Sequence, residues 1–99
     1  MEYNNKGYPL VVELLEKEFS KYNKVNYTLT TNSGTSALQA AYFALGISRG
    51  DEVIVPTLTF YATATPLFQL CAIPVLADCA PDTFNIDPIE IEKRITDKT

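Results

Sequence analysis

Two short apolar runs, Glu52-Val53-Ile54-Val55-Pro56 and Pro74-Val75-Leu76-Ala77-Asp78-Cys79, constrain the fold more than any other part of this sequence. The first lies between turn residues and lacks polar alternation, which suits a strand buried in a parallel sheet better than a half-exposed one. The second reads as a further strand. Between them, Ala62 to Leu70 can form a helix that begins near Tyr61 or Ala62, because Pro66 then sits around the first turn, where intrahelical N–H bonds are few.

The flanking segments extend the same alternation. From Pro9, the residues Val11, Val12, Leu15, Phe19 and Tyr22 recur at helical spacing, with Glu13, Glu16, Lys17 and Lys21 on the other face. Pro9 suits the first turn and Asn23 can end the helix. Val25 to Thr31 is rich in β-branched and aromatic residues and reads as a strand that stops at Asn32-Ser33-Gly34. Leu38, Ala41, Tyr42 and Leu45 form the next helical stripe, opened by Ser33, Thr35 and Ser36 and closed by Gly46. A last helix starts at Asp87-Pro88-Ile89-Glu90, with a cap, a first-turn proline and an early acid, and runs to about Ile95. Helix, strand, helix, strand, helix, strand, helix implies an α/β layer with right-handed crossovers. The sequence stops after that helix, where an alternating fold would place its next strand, and so reads as unfinished.

At 99 residues with 46% hydrophobic and 20% charged side chains, the chain has the balance of a globular protein and makes one domain at most. A chain this short buries only about 60 to 65% of its unfolded surface, enough for one thin core. A net charge of -4 and no Lys/Arg cluster argue against a nucleic-acid partner. No apolar run is long enough to span a bilayer and no signal-peptide order opens the chain, so a cytoplasmic location is expected. Cys71 and Cys79 lie in apolar sequence, and without any His to complete a metal site they are expected to be buried free thiols.

Chemistry is suggested at two places. In Asn32-Ser33-Gly34-Thr35-Ser36, a helix start offers unpaired N–H groups and a positive dipole end, Gly34 permits close backbone approach, and Thr35 and Ser36 add hydroxyls. That combination suits a phosphate, and simple capping uses the same residues. The second place is Thr57-Leu58-Thr59-Phe60-Tyr61-Ala62-Thr63, at the carboxyl end of a strand, where open α/β sheets keep ligands. Its aromatics can face a planar ring or pack against neighbouring helices. Asp78 reads as a turn acid with Asp82 and Asp87. Lys6, Lys17, Lys21, Lys24, Lys93 and Lys98 all fall in polar, helix-surface or terminal settings, unlike a nucleophilic lysine, which needs desolvation or a cationic neighbour.

From about Val25 onward the sequence resembles the N-terminal part of the DegT family of nucleotide-sugar aminotransferases. The resemblance rests on Asn32-Ser33-Gly34-Thr35-Ser36-Ala37-Leu38, Ala44-Leu45-Gly46-Ile47, Gly50-Asp51-Glu52-Val53-Ile54-Val55-Pro56, Thr59-Phe60-Tyr61-Ala62-Thr63, Pro74-Val75 with Asp78, Asp82-Thr83 and Asn85-Ile86-Asp87-Pro88, in that order. It implies an α/β fold, the N-terminal part of the large domain of the aspartate-aminotransferase fold, a three-layer α/β/α arrangement with a mainly parallel sheet. Residues 1–99 would be one piece of that domain, with no second domain.

The resemblance further implies pyridoxal 5'-phosphate (PLP) as cofactor, its phosphate at Gly34, Thr35 and Ser36 and its ring against Phe60. The Schiff-base lysine and the acid facing the pyridine nitrogen would lie beyond residue 99, so no catalytic residue is assigned here, and no metal. The implied activity is transfer of an amino group, commonly from glutamate, to a keto group of a nucleotide-linked sugar, by a homodimer. Two alternatives are a sugar dehydratase relative and a non-catalytic phosphate-binding or interaction module. The sequence departs from the family at Cys71, where glycine is usual, and at Ala80, where an acid is common. In the implied sheet the strand at Asn26 to Thr31 finds no partner within this chain, so the chain alone is expected to be poorly stable and to bind PLP weakly or not at all.

Overall fold

The computed structural model describes residues 1–99, which divide into two compact units, Met1–Asn32 and Ser33–Thr99.

In the first unit, helix α1 spans Leu10–Asn23. Pro9 precedes it with φ -62°, and Lys24 closes it in the left-handed region with φ 56°. Asn23 is thus the last helical residue, as its sequence position suggests. The expected strand at Val25–Thr31 does not form, because the single sheet of the structure pairs other residues and leaves this segment without a ladder. Side chains hold it instead: Ser20 bonds Thr28 through their hydroxyls at 2.8 Å, and one carboxylate oxygen of Glu16 accepts from the Thr30 amide at 2.7 Å and its hydroxyl at 2.9 Å.

The same Glu16 oxygen accepts the Tyr8 hydroxyl at 2.7 Å, while Glu13 accepts from Asn4 at 3.0 Å. The face expected to be solvated therefore holds the N-terminal turn and the 26–31 segment. Val11, Leu15, Phe19 and Tyr22 on the other face are exposed, and no residue of α1 is buried.

The Thr30 amide, followed by the Tyr8 and Thr30 hydroxyls, holds the Glu16 carboxyl below its ordinary range. Because this pKa is lowered on folding, the contribution of Glu16 is complete above the unfolded-state value and disappears as pH falls through the folded one. Acid titration is expected to release the Thr30 amide before the amides of α1, read by its hydrogen exchange, and Glu16→Gln should remove that pH step. A Thr30 amide equally protected at both ends of the titration would contradict the assignment.

In the second unit, helix α2 spans Gly34–Ala44, strand β1 Glu52–Pro56, a 3₁₀ turn Tyr61–Thr63, helix α3 Thr65–Gln69, strand β2 Ile73–Ala77 and helix α4 Pro88–Glu92. β1 forms over the run expected from sequence, and β2 is shifted by one residue at its start and two at its end relative to Pro74–Cys79. The strands pair in parallel, Glu52 with Ile73 through Pro56 with Ala77. The single helix expected between them is broken into the 3₁₀ turn and α3, with Pro66 in α3's first turn. A proline there has no N–H to lose to the helix. α4 opens as expected, Asp87 accepting from the Ile89 amide at 2.8 Å, and ends at Glu92 rather than near Ile95.

The core is thin. Val55, Leu67 and Ala72 form its centre, with Tyr42, Ile47, Val53 and Ala64 packed around them. Ala62, Pro66 and Ala77 are the other buried apolar residues.

Both cysteines are free, but neither is buried: Cys71 is exposed and Cys79 half-buried. Cys71 has φ +57° in the turn after α3. An L-residue there crowds its own Cβ against the backbone, a cost of about 1–2 kcal/mol that glycine avoids. Cys71→Gly is accordingly expected to raise stability by about 1 kcal/mol in urea unfolding, after allowing for glycine's extra freedom in the unfolded chain. Lower stability would mean that the 3.5 Å contact from the Arg49 guanidinium to Cys71 Sγ outweighs the backbone relief.

Candidate functional site

Residues 33–36 and 57–63 of the two candidate segments lie in the second unit, where α2 and the 3₁₀ turn pack against one another. At the start of α2, Ser33 has extended backbone, and its Oγ accepts the Ser36 amide at 3.1 Å and lies 3.0 Å from Ser36 Oγ. The capping reading is therefore correct for Ser33. It does not use the amides of Gly34 and Thr35, which stand in the first helical turn and have no intrahelical acceptor. Beside Gly34 the space is open: apart from its chain neighbours and the backbone of its own helix, no atom lies within 4 Å of where a Cβ would sit. The first turn of α2 carries no acidic residue. An anion approaching it meets the positive end of the dipole without an opposing carboxylate from that turn.

Phe60 lies in the segment after β1 and is 65% exposed. Its ring packs against Tyr61, with centroids 4.2 Å apart and planes tilted by 46°. The segment is fixed at both ends. Thr57 donates its amide to Ala77 at 2.9 Å and its hydroxyl to Asp78 at 3.3 Å, so Asp78 holds the β1 exit beside the β2 exit. Thr63 donates its amide to the Phe60 carbonyl at 3.0 Å, and the Thr59 and Thr63 hydroxyls are 2.9 Å apart. Asp78 also accepts the Cys79 amide at 2.8 Å, as a turn acid does.

A concavity of about 630 Å³ elsewhere in this unit contains none of these residues. Its walls include Ile47, Ile54, Ile91 and Ile95, and the carboxylates of Asp51, Glu52 and Asp97 outnumber the one cation, Lys98. That lining disfavours a phosphate, whereas the first turn of α2 favours one. Lys17, Lys21 and Lys93 are paired with Glu13, Glu18 and Glu90 in exposed ion pairs, a setting that does not make a lysine nucleophilic.

The sequence profile of the DegT/DnrJ/EryC1/StrS aminotransferase family matches residues 6–99. The chain belongs to this family. Among curated members, GDP-perosamine synthase of Caulobacter vibrioides is 46% identical over 84 residues, covering 85% of this chain and 23% of that protein. Among solved structures, the PLP form of a putative sugar aminotransferase from Streptococcus pneumoniae superposes with a TM-score of 0.85 at 38% identity, covering 89% of this chain and 22% of that one. GDP-4-keto-6-deoxymannose-3-dehydratase with a trapped PLP-glutamate geminal diamine superposes with a TM-score of 0.79 at 30% identity, covering 89% of this chain and 24% of that one. The chain spans about a quarter of the length of the curated relatives it matches. The fold expectation is met: this chain has the α/β arrangement that these aminotransferases share over the matching segment. No helix is long and apolar enough to cross a membrane.

Proposed function

We propose that residues 1–99 contribute the phosphate-binding and ring-binding elements of a PLP-dependent aminotransferase that moves an amino group from glutamate to a keto group of a nucleotide-linked sugar. The observation that carries this reading is the first turn of α2, open at Gly34 and free of acids, on an element that packs against the turn following Phe60. The amides of Gly34 and Thr35 and the hydroxyls of Thr35 and Ser36 would take the cofactor phosphate. The exposed Phe60 ring would lie on the pyridine face and keep water from it, giving one flat apolar contact to a planar group.

When bound, the cofactor supplies an electron sink that no amino-acid side chain provides. This chain's part is to hold and orient it, since none of its lysines has the desolvated setting of a nucleophile. The lysine that would bind the cofactor covalently, and move the proton, lies outside residues 1–99. The working assembly is a cytoplasmic homodimer, whose partner subunit would complete the substrate site.

The dehydratase likeness supports a second reading, in which the same phosphate and ring contacts serve loss of a hydroxyl from the sugar. Both are tested on the longest reading frame that contains this chain, given PLP, glutamate and GDP-4-keto-6-deoxymannose. Amino sugar formed in step with 2-oxoglutarate is the expected product. A deoxygenated keto sugar would establish the second reading, and unchanged substrate across a panel of nucleotide-linked keto sugars would overturn both.

A further inference from the structure

The carbonyl of Thr63 occupies an unusual place in the backbone. It ends the 3₁₀ turn just before α3, and the residue three positions on is Pro66, which has no N–H to offer it. The Leu67 amide, one residue further, is given to Ala64 at 3.0 Å. A half-buried carbonyl needs a donor from elsewhere. The Tyr42 hydroxyl supplies it, at 3.0 Å. Tyr42 belongs to α2, eight residues after Gly34, or roughly 12 Å along the helix axis. Its ring packs on the Val55, Leu67 and Ala72 cluster, so the hydroxyl is presented from a fixed base.

Thr63 is also the residue to which Phe60 is tied, through the Phe60 carbonyl and through Thr59. We propose that Tyr42 is a positioning residue: by donating to the Thr63 carbonyl it locks the Phe60–Thr63 turn to α2 and sets the span between the ring-binding face and the phosphate-binding turn. The inference rests on the cofactor reading above. A ligand with a phosphate at one end and a planar ring at the other meets both contacts only at one separation of the two elements.

The test is Tyr42→Phe, which keeps the ring and its packing and deletes one hydroxyl, in the longest reading frame containing the chain. Without cofactor, amide exchange across Phe60–Thr65 is expected to rise about fivefold, the effect of one hydrogen bond, with Glu52–Pro56 unchanged. With PLP as the probe, the dissociation constant is expected to rise by a similar factor, and the visible circular dichroism of bound PLP should change as its ring seat loosens. Unchanged exchange would overturn the link itself. Faster exchange with unchanged affinity and dichroism would overturn the positioning role and leave the hydroxyl a local support. If the unaltered protein binds no PLP, the cofactor reading fails and the positioning role with it, and the cofactor-free exchange reports on the link independently.

Discussion

Replacing Leu67 by alanine is expected to cost about 3–4 kcal/mol and to leave the Ser33–Thr99 unit largely unfolded at room temperature. Leu67 is fully buried, at 0% exposure, and shares its cluster only with Val55 and Ala72 as buried partners. Deleting three carbons there removes their transfer free energy and leaves a cavity that strands of five residues cannot close. A core of this size has little surplus, since folded domains stand only about 5–15 kcal/mol above their unfolded states. Loss of the folded circular-dichroism signal in Leu67→Ala, with milder loss in the exposed control Phe68→Ala, is the outcome to expect. Equal effects at the two positions would mean that Leu67 does not hold the core.

Thr35→Glu should separate helix stability from ligand binding by moving them in opposite directions. A carboxylate in the first turn of α2 complements the helix dipole and is neutral or slightly stabilising. The same charge faces the phosphate that the turn is proposed to hold, and a close like-charge contact costs several kcal/mol. PLP affinity in the longest reading frame should therefore fall by about 100-fold or more while the melting temperature holds or rises. If the turn served only as a cap, the substitution would leave PLP binding unchanged.

The parts of the fold that were legible in the sequence are those fixed by neighbours along the chain. Glu52–Pro56 forms over the run marked by its apolar residues and terminal proline, and the caps Ser33 and Asp87 accept from amides two or three residues ahead. What was not legible depends on distant partners. Val25–Thr31 has strand composition, but a strand is made by pairing and this segment has no ladder to join, so Glu16 and Ser20 hold it instead. Glu16 sat in the polar half of a helical pattern, and nothing local marked it as the acceptor for Tyr8 and Thr30.

The residues of the proposed site were marked in the sequence, whereas the contacts that hold those residues in place were not. Gly34, Thr35, Ser36 and Phe60 were singled out by residue type and by resemblance. Tyr42 was read as one more apolar position on a stripe, because the need for its hydroxyl arises at Thr63, where Pro66 withholds an N–H. Cys71 carried a usable signal, a position where the family has glycine, and its positive φ supplies the reason.

The apolar face of α1 and the exposed Tyr27 and Leu29, at 91% and 70% exposure, leave large rings and aliphatic chains in water. Exposure on this scale is characteristic of surfaces that become covered by other protein.

PLP is proposed to be seated by the first turn of α2 and Phe60. The most direct test of that seating is the absorbance spectrum of the longest reading frame mixed with PLP, before and after borohydride, followed by a peptide map. A visible band that borohydride fixes onto one lysine outside residues 1–99, and that weakens sharply in Thr35→Glu, is the result expected. A folded protein that gives no band, or an adduct whose yield ignores that substitution, would contradict it.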